Sequence, residues 1–391
     1  MSILEGIKVV ELCEVYQGPL AGQSLADFGA RVIKVERPPV GDPMRLGDFH
    51  AAERNLMSGY FAAVNRNKEC VCLDLKGEAG RAALLELIKT SDVLLHNYRP
   101  GVMERLGFGY EAMAKVNPRL IYAAASGFGE SGPLAEMAGQ DFLIQSISGI
   151  AMKGVRGDGV PNFLNVPLTD YASGMLLVQG ILLALIERGK SGLGQKVMTS
   201  LFDTAISMQS LEAASILNYD YETRWFDRAL NFPVETSNGW ITVLGFFRDN
   251  PLQLICQALG VPDLSAEMSI PTALDQIAAR DRIVERLRPE FLKFQVEDVV
   301  ARLQKQGILS APILTFEQAL ALPQVAANGM IVSVKAEGQD DMRVIDHPVK
   351  FSRSRKSSTR GPQKLGAQTK SVLAELGFDD AQIAKASNDS Q

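Results

Sequence analysis

Short apolar runs alternate with amphipathic stretches over the first third of the chain. Residues 7–12 form an apolar run of strand length, residues 20–28 carry apolar side chains at helical spacing, and residues 31–36 are again strand-like. Two strands joined by one helix through short connections favour a parallel, right-handed crossover. The pattern therefore predicts a β-α-β segment.

The same alternation continues to about residue 125. It predicts further strands at residues 71–75, 92–96 and 120–125, and helices at residues 80–89, 102–106 and 110–116. Repeated strand–helix alternation is typical of a doubly wound α/β domain, in which ligands bind at the carboxyl ends of the strands.

A strongly apolar helix is predicted at residues 171–188, ended by Gly189. Its most apolar stretch, residues 175–186, is too short to span a bilayer and indicates a buried helix. Another helix follows at residues 202–218. Downstream, the pattern predicts a strand at residues 240–244 and helices at 251–259, 273–287 and 296–306, with a break at Pro289.

Composition narrows the class of protein. The 391 residues are 46% hydrophobic and 22% charged, which is ordinary globular usage for two or three domains. A net charge of -5 argues against a nucleic-acid partner, which usually requires a basic excess. The four cysteines form no C-x-x-C pair and no secretory signal is visible, so we expect reduced thiols, a cytoplasmic location and no membrane partner.

Basic residues recur at the predicted strand ends, namely Arg37, Lys76 and Arg99. They indicate either an anionic ligand, such as a phosphate-bearing cofactor, or ordinary solvated loop charges, and position alone leaves both open. Gly127, Gly129 and Gly132 match a dinucleotide-binding pattern, but Pro133 follows and no helix opens there, so this loop is not expected to bind a dinucleotide.

Candidate nucleophiles are few. The three histidines are widely spaced and form no metal-ligand pattern, and no G-x-S-x-G elbow occurs, so a carboxylate or a cysteine is the expected nucleophile. Asp170 precedes the apolar helix. Periodicity favours an N-cap, worth about 1 kcal/mol, but the helix end would also favour an ionised carboxylate by roughly 0.3–1 kcal/mol. Such a carboxylate could attack an acyl carbonyl beside glycine-supplied N–H groups.

At these residues the sequence strongly resembles the class III CoA-transferases, the CaiB/BaiF family, which includes formyl-CoA and carnitine CoA-transferases. The resemblance covers nearly the whole chain and rests on the order and spacing of motifs. These motifs are LADFGARVIKVE (residues 25–36), GDPMR (41–45), NRNK (65–68), LDLK (73–76), NYRPG (97–101), NPRLIY (117–122), SGFG (126–129) and LGAQT (365–369).

The resemblance implies a role for named residues. Asp170 matches the catalytic aspartate of the family. Gln17, Gly127, Gly129 and Gln140 are candidates for oxyanion or pocket residues. The positions where similar proteins contact CoA are Val15, Tyr16, Arg37, Lys76, Asn97, Tyr98 and Arg105. No metal and no tightly bound cofactor is expected, because coenzyme A and acyl-CoA are substrates.

The resemblance also implies an architecture. A Rossmann-like, doubly wound large domain would be built from both chain ends, residues 1–201 and 323–391. A linker helix would lie within residues 202–230, and a smaller α+β domain would occupy residues 231–322. Two such chains would interlock as a homodimer.

The implied activity is transfer of CoA from an acyl-CoA donor to a free carboxylic acid, through a mixed anhydride and an aspartyl-CoA thioester. Two alternatives stay open: an acyl-CoA racemase or epimerase, and a CoA- or dinucleotide-binding protein without catalysis. Gln140 stands where the racemase branch has a histidine base, which disfavours racemisation. Residues 245–250 hold one glycine where formyl-CoA transferase has a glycine run, so the acids are not identified.

Overall fold

A computed structural model of the chain describes residues 2–154, 159–336, 339–354, 356 and 360–387. The residues group into two units, the first formed by Met1–Gln209 with Gly329–Gln391 and the second by Ser210–Asn328. The predicted linker, residues 202–230, spans the first junction.

One parallel sheet forms the centre of the first unit. Its strands are β1 (Lys8–Leu12), β2 (Arg31–Glu36), β3 (Glu69–Cys72), β4 (Val93–His96), β5 (Ile121–Ser126) and β6 (Lys196–Ser200). They lie in the order β3-β2-β1-β4-β5-β6, and all neighbouring pairs are parallel. This order is that of doubly wound nucleotide-binding sheets, so the α/β prediction is confirmed. It brings all six carboxyl ends to one edge.

Helices pack on both faces of this sheet. The helices of this part of the chain are α1 (Gln17–Asp27), α2 (Phe49–Ala52), α3 (Gly59–Asn65), α4 (Glu78–Lys89), α5 (Val102–Leu106), α6 (Tyr110–Val116), α7 (Asp141–Ile147), α8 (Ile150–Lys153), α9 (Leu168–Ser191) and α10 (Leu201–Ser207). Successive strand residues point to opposite faces. Val10 therefore packs with Leu84 of α4, whereas Val9 packs with Leu25 of α1 and Leu177 of α9.

The apolar helix α9 is longer than predicted. It runs for 24 residues and ends at Gly192 in the left-handed conformation, not at Gly189. One face, including Leu177 and Ile181, is buried in the core, but Leu183 and Ile186 on the other face are 59% and 62% exposed. The predicted burial therefore holds for one face only. Within the described ranges, this helix is long and apolar enough to cross a membrane, a property that core helices share.

The second unit has its own antiparallel sheet and core. Strands β7 (Asn231–Thr236), β8 (Gly239–Leu244) and β9 (Leu309–Ile313) lie in that order. The helices are α11 (Ser210–Tyr219), α12 (Pro251–Leu259), α13 (Leu264–Glu267), α14 (Ala273–Ala278), α15 (Arg280–Phe291), α16 (Val296–Lys305), α17 (Phe316–Leu320) and α18 (Pro323–Ala327). The predicted break between the helices 273–287 and 296–306 is present, but it falls at residues 292–295, beyond Pro289, which lies within the last turn of α15. The predicted helix at 273–287 is itself divided at Ala279.

The chain then returns to the first unit. Strands β10 (Ile331–Val334) and β11 (Met342–Ile345) pair, and helices α19 (Thr369–Glu375) and α20 (Asp380–Ser387) follow. Gln368 exchanges hydrogen bonds with the backbone of Cys70, and the Thr369 hydroxyl accepts the N–H of Cys72. The LGAQT motif thus covers the edge strand β3, which would otherwise expose unpaired backbone groups.

Candidate active site

The predicted site residues lie at the carboxyl edge of the parallel sheet. Val15, Tyr16 and Gln17 follow β1, and Asn97 and Tyr98 follow β4. Arg37 directly follows β2, Lys76 lies in the connection after β3, and Arg105 lies in α5. Because parallel strands end at the same edge, the topology brings these residues to one side of the first unit.

Asp170 is the third residue of α9, not its N-cap. Pro167 occupies the N-cap position and makes no side-chain capping bond, so the predicted capping role is wrong. Burial, and secondarily the negative charge of Asp141, raise the pKa of Asp170 to about 7 from an ordinary 3.8. Burial and the neighbouring charge thus outweigh any stabilisation that the helix end gives the ionised form, and the pKa of this carboxyl rises instead of falling.

Asp141 caps α9 from a neighbouring helix. Its Oδ1 accepts the backbone N–H of Thr169 at 2.7 Å and the Thr169 hydroxyl at 2.6 Å, and its Oδ2 accepts from Gln145 at 2.6 Å. The Asp141 side chain is buried, so this bond network fixes the start of α9 in the core. This role could not be predicted from the sequence, although Asp141 directly follows Gln140.

Gln17 is joined to the helix that carries Asp170. Its side-chain N–H donates to Ser173 Oγ at 2.6 Å, and Ser173 in turn donates to Thr199 Oγ1 at 3.3 Å. Ser173 lies three residues after Asp170 and therefore on the same helix face. Gly174 permits this close approach, because a Cβ there would lie 2.7 Å from the Gln17 carbonyl oxygen.

Two tyrosines at the edge are held in the protonated form. Burial raises the pKa of Tyr16 to about 12, with smaller contributions from Tyr171 and Asp170. Burial likewise raises the pKa of Tyr98 to about 12, with a contribution from Glu14. The bond from Gln17 to Ser173 shows that the end of the loop after β1 lies against the first turns of α9.

The charged groups predicted to contact CoA lie on the surface. Arg37 is 65% exposed and pairs with Glu14 at 3.5 Å, and Lys76 and Arg105 are also exposed. Asn97 differs from these, since its amide accepts the N–H of Glu14 and donates to the Glu14 carbonyl. Asn97 thus holds the loop after β1.

The glycine loop after β5 packs directly on the segment that precedes α7. A Cβ on Gly127 would lie 2.5 Å from Cα of Gly139. The N–H of Gly129 donates to Ser126 Oγ at 3.0 Å, so an oxyanion bound there would compete with this hydroxyl. Gln140 is exposed and caps α7, its side-chain oxygen accepting the N–H of Phe142.

A cavity of about 200 Å³ opens between the ends of β4 and β5, lined in part by Tyr98, Arg99 and Ser126. His96 borders it, and burial lowers the pKa of His96 to about 4, so this imidazole is neutral at physiological pH. Among the residues whose positions are described, no cluster of three or more His, Cys, Asp or Glu side chains could hold a metal ion.

Comparison with known proteins gives concordant matches. The profile of CoA-transferase family III matches residues 4–369. An acyl-CoA transferase from Fusarium pseudograminearum is 35% identical over 99% of this chain and 87% of its own. An acetyl-CoA:oxalate CoA-transferase from Acetobacter aceti is 34% identical over 86% and 90% of the two chains.

A succinate–glutarate CoA-transferase from Agrobacterium fabrum is 32% identical over 95% of each chain. Among solved structures, a CaiB/BaiF family protein from Brucella suis superposes with a TM-score of 0.86 at 30% identity, covering 96% of this chain and 99% of that one. Sequence and fold thus agree over nearly the full length.

Proposed function

Because this chain belongs to CoA-transferase family III and is a CoA-transferase, we propose that Asp170 carries its chemistry. The observation that supports the role is geometric. Asp170 is a partly buried carboxylate in the first turn of α9, against which the loop after β1 packs, and among the described residues the capping bonds at that helix end go to Thr169 and not to Asp170. A carboxylate in such a place can act as a nucleophile.

In the proposed mechanism, the Asp170 carboxylate attacks the thioester carbonyl of acyl-CoA. The carbon–sulfur bond breaks, which gives a mixed anhydride and the CoA thiolate. The thiolate then attacks the aspartyl carbonyl, which releases the donor acid and forms an aspartyl-CoA thioester. The acceptor carboxylate reverses both steps, leaving a new acyl-CoA and the regenerated Asp170. Bound CoA keeps the thiolate at high effective concentration.

The raised pKa of Asp170 suits this sequence of reactions. A carboxylate with a pKa near 7 is more basic, and thus a stronger nucleophile, than one with an ordinary value of 3.8. It is still substantially ionised at neutral pH, which the first attack requires. Asp141 contributes twice, through its charge and through its bonds to Thr169.

We place the CoA-binding surface on the carboxyl edge of the first unit. The exposed cations Arg37, Lys76 and Arg105 can meet phosphates there. Tyr16 and Tyr98, which follow β1 and β4, offer hydroxyl donors at the same edge. CoA enters as a substrate and leaves as product. The proposed setting is cytoplasmic.

For the acceptor we propose a short dicarboxylic acid. The support is that relatives covering nearly the whole chain carry oxalate, succinate and glutarate in their names. In the second unit, the Arg248 guanidinium donates to the carbonyls of Gly307 and Phe247 at 3.0 and 3.2 Å. These bonds hold the loop at residues 245–250, and this is the role that the structure shows for Arg248.

We further propose that the active form is an interlocked homodimer. Leu183 and Ile186 leave an apolar face of α9 exposed. Helix α11 has no buried residue and leaves Leu211 and Leu217 62% and 82% exposed. A second copy of the chain would cover such faces, since soluble proteins rarely leave large apolar patches open.

A panel of acyl-CoA donors and free acids tests the proposal. Transfer gives a new CoA ester that mass spectrometry detects, and dicarboxylic acids should be used in preference to monocarboxylic acids of equal length. A racemase would instead exchange the α-hydrogen in deuterated water, and a protein that only binds CoA would do neither. Equal use of both acid classes would contradict the dicarboxylate proposal alone.

A further inference from the structure

The loop after β1, residues 13–17, holds an unfavourable backbone conformation beside Asp170. Val15 has a φ of 70°, which is in the left-handed region. A β-branched side chain is rarely found there, and such strain persists only where the surroundings enforce it. The same loop carries Tyr16 and Gln17. The contacts that hold Val15 at positive φ therefore also position these two side chains, which face α9.

Asp42 holds the strained residue. Its Oδ1 accepts the N–H of Val15 at 3.1 Å and that of Met44 at 3.0 Å, and its own N–H donates to Glu36 at 3.0 Å. Asp42 is only 1% exposed, whereas Val15 is 47% exposed. The anchor is therefore in the core and the residue that it anchors faces the site.

A buried lysine, Lys34, forms an ion pair with Asp42. Lys34 Nζ donates to Asp42 Oδ2 at 2.9 Å, to Glu11 at 3.2 Å and to the Cys13 carbonyl at 2.7 Å. Burial acts to lower the pKa of Lys34, but the charges of Glu11 and Asp42 outweigh it and raise that pKa. The ammonium group therefore stays charged and binds both the loop, at the Cys13 carbonyl, and its anchor Asp42.

A second buried lysine, Lys68, bonds to the first turn of α1, which follows the loop after β1. Lys68 Nζ lies 2.8 Å from Glu11 Oε2 and donates to the Pro19 carbonyl, also at 2.8 Å. Asn65 accepts a further bond from it at 2.9 Å. The motifs GDPMR and NRNK, which the proposed mechanism leaves unused, are thus linked through Lys34 and Glu11, because Lys34 pairs with both Asp42 and Glu11 and Lys68 pairs with Glu11.

We propose that Asp42 is a positioning residue for CoA transfer: supported by Lys34, it holds Val15 in the left-handed conformation and thereby places Tyr16 and Gln17 against the start of α9. This rests on the proposed function of Asp170. Asp42 touches no substrate, and its effect on transfer passes through Val15.

A double-mutant cycle tests this pathway. Asp42→Ala should lower kcat at least tenfold, because Val15 then relaxes to negative φ. In the Val15→Gly background the same substitution should cost several-fold less, since glycine adopts positive φ without an anchor. Hydrogen exchange should quicken at the amides of residues 13–17 and stay unchanged in β4 and β5. This readout needs no activity, so it separates failure of the proposal from failure of the proposed function.

Asp263→Ala is the matched control. Asp263 also accepts an N–H two residues ahead, that of Ser265 at 2.9 Å, but it lies in the second unit. It should lower the melting temperature and leave kcat intact. If Asp42→Ala does not fold, Asp42→Asn enters the same cycle: it keeps an oxygen for the Val15 N–H but loses the ion pair with Lys34, so it should lower kcat less than alanine and again cost several-fold less in the Val15→Gly background. Equal losses in the Val15 and Val15→Gly backgrounds, or unchanged exchange at residues 13–17, would overturn the proposal.

Discussion

At the scale of single residues, the pKa of Asp170 near 7 predicts a pH-dependent rate. Only the ionised carboxylate attacks, so kcat/KM should rise with pH to a midpoint near 7. Asp141→Asn removes a neighbouring negative charge, which should move the midpoint to lower pH. Glu86→Gln, at a partly exposed ion pair with Lys89, should leave it unmoved. A pH–rate profile in which all three proteins share one midpoint would contradict this electrostatic coupling.

The same raised pKa predicts a stability change. Because the folded-state pKa exceeds the ordinary value of 3.8, ionising Asp170 costs folding free energy, and this cost grows from about pH 4 to about pH 7 and then stays constant. Asp170→Asn should therefore raise the free energy of unfolding at pH 8, on the order of 1–3 kcal/mol after allowance for solvent screening. At pH 4 the two proteins should melt alike, and a variant less stable at pH 8 would refute the sign.

At the scale of elements, two glycines of α9 should respond oppositely to alanine. Gly174→Ala would drive a Cβ to 2.7 Å from the Gln17 carbonyl oxygen, so it should separate α9 from α1, lower the melting temperature and slow transfer. Gly189 has open space around its Cβ position, so Gly189→Ala should stabilise the helix by about 0.5–1 kcal/mol. Thermal melts and transfer assays on the two variants check both; a harmless Gly174→Ala would contradict the close approach.

The helices and strands that were predicted correctly are those that a local sequence pattern determines. Apolar runs with clear period, such as Arg31–Glu36 and Tyr110–Val116, were predicted with the bounds that the structure has. Strand β6 was not predicted, because its residues Lys196–Ser200 are mixed in polarity. It also pairs with β5, from which the chain segment that includes α9 separates it in sequence.

The candidate site was likewise predicted only in part. Motif resemblance pointed to Asp170 and the strand ends, but the partners of Asp170 could not be predicted. Asp141 caps a helix 28 residues downstream, and Asp42 meets Val15 only after β1 and β2 align Glu11 with Lys34. Such contacts depend on tertiary register, which no local pattern encodes.

At the scale of the whole molecule, the exposed apolar faces predict association. Light scattering coupled to size exclusion should give twice the 42.5 kDa chain mass. Leu183→Glu, on the exposed face of α9, should weaken the dimer, whereas Leu274→Glu, on the short helix α14 and 78% exposed, serves as a control at an isolated apolar position. A monomer with full transfer activity would contradict the dimer proposal.

The most direct test of the central claim is to trap the intermediate on Asp170. Protein mixed with acyl-CoA and then treated with hydroxylamine or borohydride should show a mass change on the peptide that holds Asp170. Asp170→Asn should show neither the adduct nor transfer. An adduct that maps to one of the four cysteines, or full transfer by the Asn variant, would contradict the carboxylate mechanism.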